Sequence, residues 1–322
     1  MPHLLVEGKG FPMGVRVELR AGGGCCQAAV DATQGATLLQ LCVGGAAAVD
    51  VLPDSAPCFL MLPYSNRVQD ALFTWKGKEY ELPEPERHAI HGELRKREWQ
   101  VVSQEESKVT LRFDTEGQDP PLKWPFPFVA TAVYELCSNE DGTAGHLDCT
   151  LHLENNHTED APFGGGWHPY FPRHVGTGED ALDPVLTIEN IQGVYPDAQG
   201  TRIPSGPLEP LPEALDFSKP RVLPPDVDFD CCCATTAGTS PVVTMEWPDE
   251  MRVRLFSPHH PEPVSHLVMY NPTERPFFAM EPVFNANNGI NLFSQGYQGS
   301  GITVLGPGET LCGDMRIEWQ LL

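Results

Sequence analysis

Residues 108–114, Lys-Val-Thr-Leu-Arg-Phe-Asp, alternate apolar and polar side chains: Val109, Leu111 and Phe113 on one side, Lys108, Thr110, Arg112 and Asp114 on the other. A period of two is the repeat of a β-strand, so this segment reads as a strand with one face in a core and the other in water. The same period returns along the chain, at Val15, Val17 and Leu19; at Ala130, Ala132, Tyr134 and Leu136; and at Leu147, Cys149, Leu151 and Leu153. It recurs at Met251, Val253 and Leu255, and again at Met315, Ile317, Trp319 and Leu321. One-sided strands of this kind belong to antiparallel sheets. Helical periodicity is hard to find, and 30 Gly with 32 Pro interrupt the chain at short intervals, as turns between many strands require. The expected fold is all-β, a large antiparallel β-sandwich or barrel.

A chain of 322 residues accommodates either two domains or one large all-β domain. Strand-forming sequence of similar composition continues on both sides of the Pro-rich stretch 203–225 (IPSGPLEPLPEALDFSKPRVLPP). That continuity favours a single domain over residues 1–322, with the stretch as a long excursion packed on the body rather than a linker. Apolar residues at 41% against 20% charged exclude a disordered chain. The 21 Lys+Arg against 44 Asp+Glu leave a formal net charge of −23, which argues against nucleic acid or an anionic membrane as partner, since both are bound through basic patches.

Residues 1–15, MPHLLVEGKGFPMGV, lack the basic-then-apolar pattern of a secretory signal, and no uncharged apolar run approaches the roughly 18 residues that span a bilayer. The ten cysteines fall as Cys25-Cys26, Cys231-Cys232-Cys233 and five scattered singles, in a chain large enough to fold without disulfides. Free thiols and a cytoplasmic location are expected. No C-x-x-C pair occurs and the nearest approach to a zinc pattern is His88-x-x-His91, so a metal is not expected. Sheet edges in such folds are either covered or paired, which is compatible with a monomer or a homodimer.

Four stretches carry more polar chemistry than a strand needs. Pro63-Tyr64-Ser65-Asn66-Arg67-Val68 sets an amide, both donor and acceptor, beside a rigid guanidinium fork, a pair suited to vicinal hydroxyls or a carboxylate. Its plainer reading is a surface turn with a salt-bridged Arg. In His88-Ala89-Ile90-His91-Gly92-Glu93, the glycine lets the backbone turn sharply beside a histidine. Gly164-Gly165-Gly166-Trp167-His168-Pro169-Tyr170-Phe171 places His168 and Tyr170 on one face of an extended segment and Trp167 and Phe171 on the other. An imidazole in such a partly apolar wall is tunable for proton transfer near neutrality. Finally, Phe277-Phe278-Ala279-Met280-Glu281-Pro282-Val283-Phe284-Asn285 embeds a carboxylate in an apolar run, where charges are rarely found unless paired or functional. An acidic cluster, Asp226-Val227-Asp228-Phe229-Asp230, offers a further carboxylate or simply a solvated loop. No G-x-S-x-G elbow, P-loop or dinucleotide fingerprint is present, which weakens hydrolase, kinase and dehydrogenase readings. Hydroxyl-binding groups, two proton-transfer groups and aromatic walls together suit sugar chemistry.

The order Asn66-Arg67, then FTWKGKEYEL, then His91-Gly92, His168-Pro169-Tyr170-Phe171, Glu281-Pro282 and Leu305-Gly306-Pro307-Gly308-Glu309 resembles the aldose 1-epimerase (galactose mutarotase) family over nearly the whole chain. The resemblance implies one large β-sandwich domain with an open sugar cleft on one sheet. It also implies a cofactor-free isomerase that interconverts the α and β anomers of a free monosaccharide. By that resemblance Glu281 matches the general base, His168 the general acid and His91 a second histidine at the ring. Arg67 with Asn66, Tyr170 and Asp230 match the sugar-binding positions. The Cys run after Asp230 departs from the family's usual continuation, and Asp228 or Asp226 is the substitute.

Rival readings remain distinct. A sugar-binding module without turnover does not need both Glu281 and His168. A glycosidase would pair Glu281 with an Asp of the 226–230 cluster but leaves both histidines without a role. A metal enzyme would gather His88, His91 and His168. A branch of the superfamily acts on hexose 6-phosphates, and Lys76, Lys78, Arg87, Arg95, Lys96 and Arg97 lie beside His91, so a phosphorylated or sulfonated sugar is a further option. Those cations are interleaved with Glu79, Glu81, Glu84, Glu86 and Glu93, as on a solvated strand and turn.

Overall fold

The computed structural model describes residues 15–83, 87–175 and 182–322, so the amino-terminal segment 1–14 and Glu84 and Glu86 lie outside the described residues. All of the alternating segments except residues 15–19 lie in one antiparallel sheet of nine described strands. In spatial order these are Gln100–Gln104, Lys108–Asp114, Phe128–Ser138, Ala144–Asn155, Thr310–Leu321, Met251–Phe256, Val242–Trp247, Val185–Glu189 and Arg221–Val222. Register follows the hydrophobic pattern: Val109 pairs with Tyr134, Tyr134 with Cys149 and Cys149 with Met315, all four buried. A slip of one residue would turn this whole row into water.

A second antiparallel sheet of seven described strands packs against the first. Its path runs Ile191–Val194, Phe229–Thr235, His266–Asn271, Phe277–Val283, Gly166–His168 and Phe59–Met61, with Tyr170–Pro172 also pairing on Phe277–Val283. The inner faces of both sheets share one apolar core, to which the second sheet gives Leu60, Trp167, Cys233, Met269, Phe278 and Met280. Trp167 is fully buried and its Nε1 donates to Cys149 Sγ of the first sheet at 3.0 Å. Truncating such a ring to Ala costs on the order of 3–5 kcal/mol.

A four-stranded sheet, Arg16–Ala21, Cys26–Asp31, Thr37–Val43 and Val49–Asp50, adds Val17, Leu19, Val30 and Leu41 to the same core. The Pro-rich stretch packs on the body: Phe217 and Leu223 are buried, and Arg221–Val222 supplies an edge strand. All ten cysteines are free. Among the described residues no helix is long and apolar enough to cross a membrane.

Candidate active site

Because side chains alternate across a strand, the second sheet presents an outer face that the shared core does not use. One row across that face reads Cys232, Val268 and Glu281 on adjacent strands, then His168 and Phe59 on the next two. Glu281 Oε1 and His168 Nε2 lie 3.1 Å apart. The next row reads Asp230, Tyr270, Ala279 and Tyr170. Tyr170 stacks on His168 with ring centroids 4.5 Å apart, while Trp167 and Phe171 point into the core, as the alternation predicts.

The remaining groups come from loops held against this face. His91 follows the short strand Ala89–Ile90, which pairs with Arg67–Val68, and its N–H donates to the Asn66 carbonyl at 2.8 Å. Its ring meets that of His168 edge-on at 5.1 Å. Phe59 touches both imidazoles, at centroid distances of 5.5 and 4.5 Å. Asn66 Oδ1 accepts from the Arg67 N–H at 2.9 Å and from Arg67 Nη1 at 3.2 Å, so this amide orients the guanidinium and leaves its Nδ2 for a second partner.

The His91-Gly92 turn is set by sterics. Both residues have positive φ, 60° and 67°, and a Cβ on Gly92 would lie 1.9 Å from the Leu62 carbonyl oxygen. That oxygen accepts the Glu93 N–H at 2.9 Å, which fixes the turn against the strand entering from Phe59–Met61. Gly92→Ala is expected to lower stability by at least about 2 kcal/mol, seen as a reduced urea midpoint with an unchanged m-value. A wild-type midpoint would remove the steric account.

A similar constraint brings His168 to Glu281. Gly166 has a φ of 146°, and a Cβ there would meet the Pro282 carbonyl oxygen at 2.6 Å, so only glycine lets Gly166–His168 approach Phe277–Val283 this closely. Asn285 ties the pieces together from inside. Its buried Oδ1 accepts the N–H groups of Ser65 at 3.1 Å and Gly165 at 2.9 Å, joining the Asn66-Arg67 loop to the strand of His168.

Burial governs the electrostatics. Glu281 is 2% exposed and His168 5%. Desolvation pushes the Glu281 carboxyl well above the usual carboxylate range; the Asp230 charge adds to this and Arg67 opposes it. Burial, with Arg95, brings His168 down to about 3. His91 is also driven well below 6.5, first by burial and then by His168. Glu281 Oε2, His168 Nδ1 and His91 Nδ1 are buried with no hydrogen-bond partner in the protein. Buried polar atoms call for partners, and these three belong to groups that lie together on this face.

Asp230 is the member of the acidic cluster that faces the site, in the row with Tyr170. Asp228 instead accepts the Thr273 N–H at 2.7 Å in an exposed turn, and Asp226 is exposed. His88 is turned away from the other two histidines: its Nδ1 accepts the Asp70 N–H at 2.9 Å, so a His88, His91 and His168 metal set is not assembled. Of the basic segment, Lys76 pairs with Asp160 and Arg87 with Asp70. Arg95 alone reaches the site, its guanidinium 3.9 Å over the Phe59 ring.

The sequence had not singled out Phe59, Tyr270, Arg202 or Asn285 as site residues. Only Asn285 had a local signal, as the end of the Glu281 stretch. A cavity of about 560 Å³ elsewhere, on the outer face of the first sheet, is lined by His146, Arg252, Arg254 and Glu318 but by none of these groups. Its arginines are already paired, Arg252 with Glu246 and Arg254 with Glu318.

The fold, with a buried acid and imidazole on one sheet face and an arginine and aromatics around them, defines a class. The family model for aldose 1-epimerase matches residues 16–318, and the chain belongs to the aldose 1-epimerase family. It is 28% identical to the uncharacterized protein YphB of Escherichia coli K12 over 274 residues, 82% of this chain and 84% of that one. To the uncharacterized protein YihR of the same bacterium it is 31% identical over 126 residues, 38% of each chain. A galactose mutarotase-like protein from Clostridium acetobutylicum superposes with a TM-score of 0.77 at 18% identity, over 95% of each chain. The GalM/aldose epimerase homologue from C. elegans gives 0.76 at 16% identity, over 96% of this chain and all of that one. The expected family and all-β sandwich are both borne out.

Proposed function

We propose that this protein is a cofactor-free mutarotase of a monosaccharide, built as one domain, with Glu281 as base and His168 as acid. The supporting observation is the 3.1 Å contact of Glu281 Oε1 with His168 Nε2 on an outer sheet face. Ring opening takes the proton from the anomeric hydroxyl to Glu281 while His168 protonates the ring oxygen; the C1–O5 bond breaks and C1=O1 forms. Rotation about C1–C2 presents the other face of the aldehyde, and the reverse transfers close the ring. Burial favours the neutral acid and the neutral imidazole. The working pair, carboxylate and imidazolium, holds the same number of protons, so one proton shift along the 3.1 Å contact prepares it. Sugar hydroxyls then supply the hydrogen bonds that the two charges need.

In this reading His91 supports the ring-oxygen side, Arg67 and Asp230 bind hydroxyls, and Tyr170 lies against the sugar's apolar face. A second reading, a sugar carrying a phosphate or sulfonate, has one observation in its favour. Arg95 reaches the site beside Phe59 and has no carboxylate within ion-pair distance among the described residues. Both readings are tested by following freshly dissolved α-glucose, α-galactose and glucose 6-phosphate by NMR at neutral pH. Accelerated anomer exchange of a neutral hexose supports the first reading. Acceleration confined to the phosphate ester selects the second, and exchange at the buffer rate for all three, with sugar binding retained, leaves a binding protein.

A further inference from the structure

We propose that Arg202 is a positioning residue for the sugar-binding carboxylate: it clamps Asp230 and keeps that side chain from closing on Arg67. The proposal rests on the reading above in taking Asp230 and Arg67 as sugar-binding groups. Both arginines face the same oxygen. Arg202 Nε donates to Asp230 Oδ2 at 2.8 Å, whereas Arg67 Nη1 stands 4.0 Å from it, beyond hydrogen-bond reach. Asp230 Oδ1 is thereby left for a hydroxyl, and Arg67 keeps donors for the sugar.

Arg202 is itself anchored through both its backbone and its side chain. The Asp197 carboxylate accepts the N–H groups of Thr201 at 2.9 Å and Arg202 at 2.8 Å and also meets Arg202 Nη1 at 3.2 Å. The guanidinium therefore bridges two carboxylates, a use of the rigid fork that a lysine cannot reproduce. The Arg202 carbonyl accepts from Asn287 Nδ2 at 2.9 Å, and the next residue, Asn288, donates its N–H to the Arg67 carbonyl at 2.7 Å. One short turn after the strand of Glu281 thus fixes the backbones of both arginines. Arg202 holds a φ of 64°, a left-handed conformation costly for a residue with a Cβ. That strain is maintained where the side chain must be aimed.

Without the clamp, Asp230 is free to pair with Arg67, and each sugar-binding group then occupies the other. Arg202→Gly is the variant of choice, because glycine accepts the positive φ and leaves the turn unstrained. The expected result is a KM raised about 10- to 100-fold with kcat changed less than about threefold, since Glu281 and His168 stand on other strands. Arg202→Lys should recover only part of the loss. In an Asp230→Ala background Arg202→Gly should add less than about twofold, the non-additivity of a residue that acts through another. A crystal structure of ligand-free Arg202→Gly gives a readout independent of activity: Asp230 and Arg67 should close to about 3 Å. Additive effects in the double variant, an equal fall in kcat, or Asp230 unmoved in that crystal would each overturn the clamp. Wild-type protein that exchanges no sugar, with the Arg202→Gly crystal as expected, would instead overturn the mutarotase reading alone.

Discussion

Glu281→Gln should fold, bind sugar and fail to catalyse. The amide has the size of the carboxyl and, like the neutral acid that burial favours, carries no charge, so the apolar run Phe277–Val283 that encloses it loses no packing. It has no basic oxygen to take the anomeric proton. Positioned acid–base groups contribute about 10²–10⁴-fold each, so kcat should fall at least a hundredfold while KM stays within a few-fold. His168→Gln should do the same from the acid side. NMR anomer exchange with both variants beside wild type is the check. A Glu281→Gln enzyme that keeps more than a tenth of the wild-type kcat would remove the carboxylate from the mechanism.

Different parts of the molecule were legible to different degrees. The nine-stranded sheet could be read from its alternation because one face is in the core and the other in water, as in the buried row from Val109 to Met315. The site-bearing sheet is covered on both faces. Its outer face carries a second apolar cluster, in which Phe59, Met61, Val268 and Val283 of the sheet meet Tyr195 and Leu292. Strands such as His266–Asn271 and Phe277–Val283 are therefore buried nearly throughout and lose their period. What remained visible there was the exception, Glu281 in an apolar run, together with glycines that only close backbone approach explains. Arg202 left no such trace. Its partner Asp230 is 28 residues away, and a lone Arg before a Pro-rich stretch looks like any solvated cation. Phe59 belongs to a three-residue strand inside an apolar run, where no pattern separates a site wall from core.

Acid should destabilise the fold well before carboxylates protonate generally, and Glu281 should soften the loss. His168, at about 3, and His266, at about 4, are held far below 6.5, chiefly by burial, and His91 moves in the same direction. His266 sits against Tyr195, and its Nδ1 lies 3.2 Å from the Phe284 carbonyl. Below pH 6.5 the unfolded chain takes up protons at these positions and the folded chain does not. Stability present above 6.5 is therefore lost as the pH falls toward the folded values. His168 and His266 alone account for about 3 kcal/mol between pH 7.5 and 5.5. The raised Glu281 pKa acts in the opposite sense. Above 4.5 the unfolded chain ionises this residue while the folded chain keeps it protonated, so its contribution to stability grows as the pH falls toward 4.5. Glu281→Gln removes that offset without disturbing the histidines. Urea midpoints measured at pH 7.5 and 5.5 should therefore drop more in Glu281→Gln than in wild type, and the variant should be the more stable protein at the higher pH. Equal drops would mean that the folded Glu281–His168 pair holds no extra proton, with Glu281 a carboxylate beside a neutral imidazole.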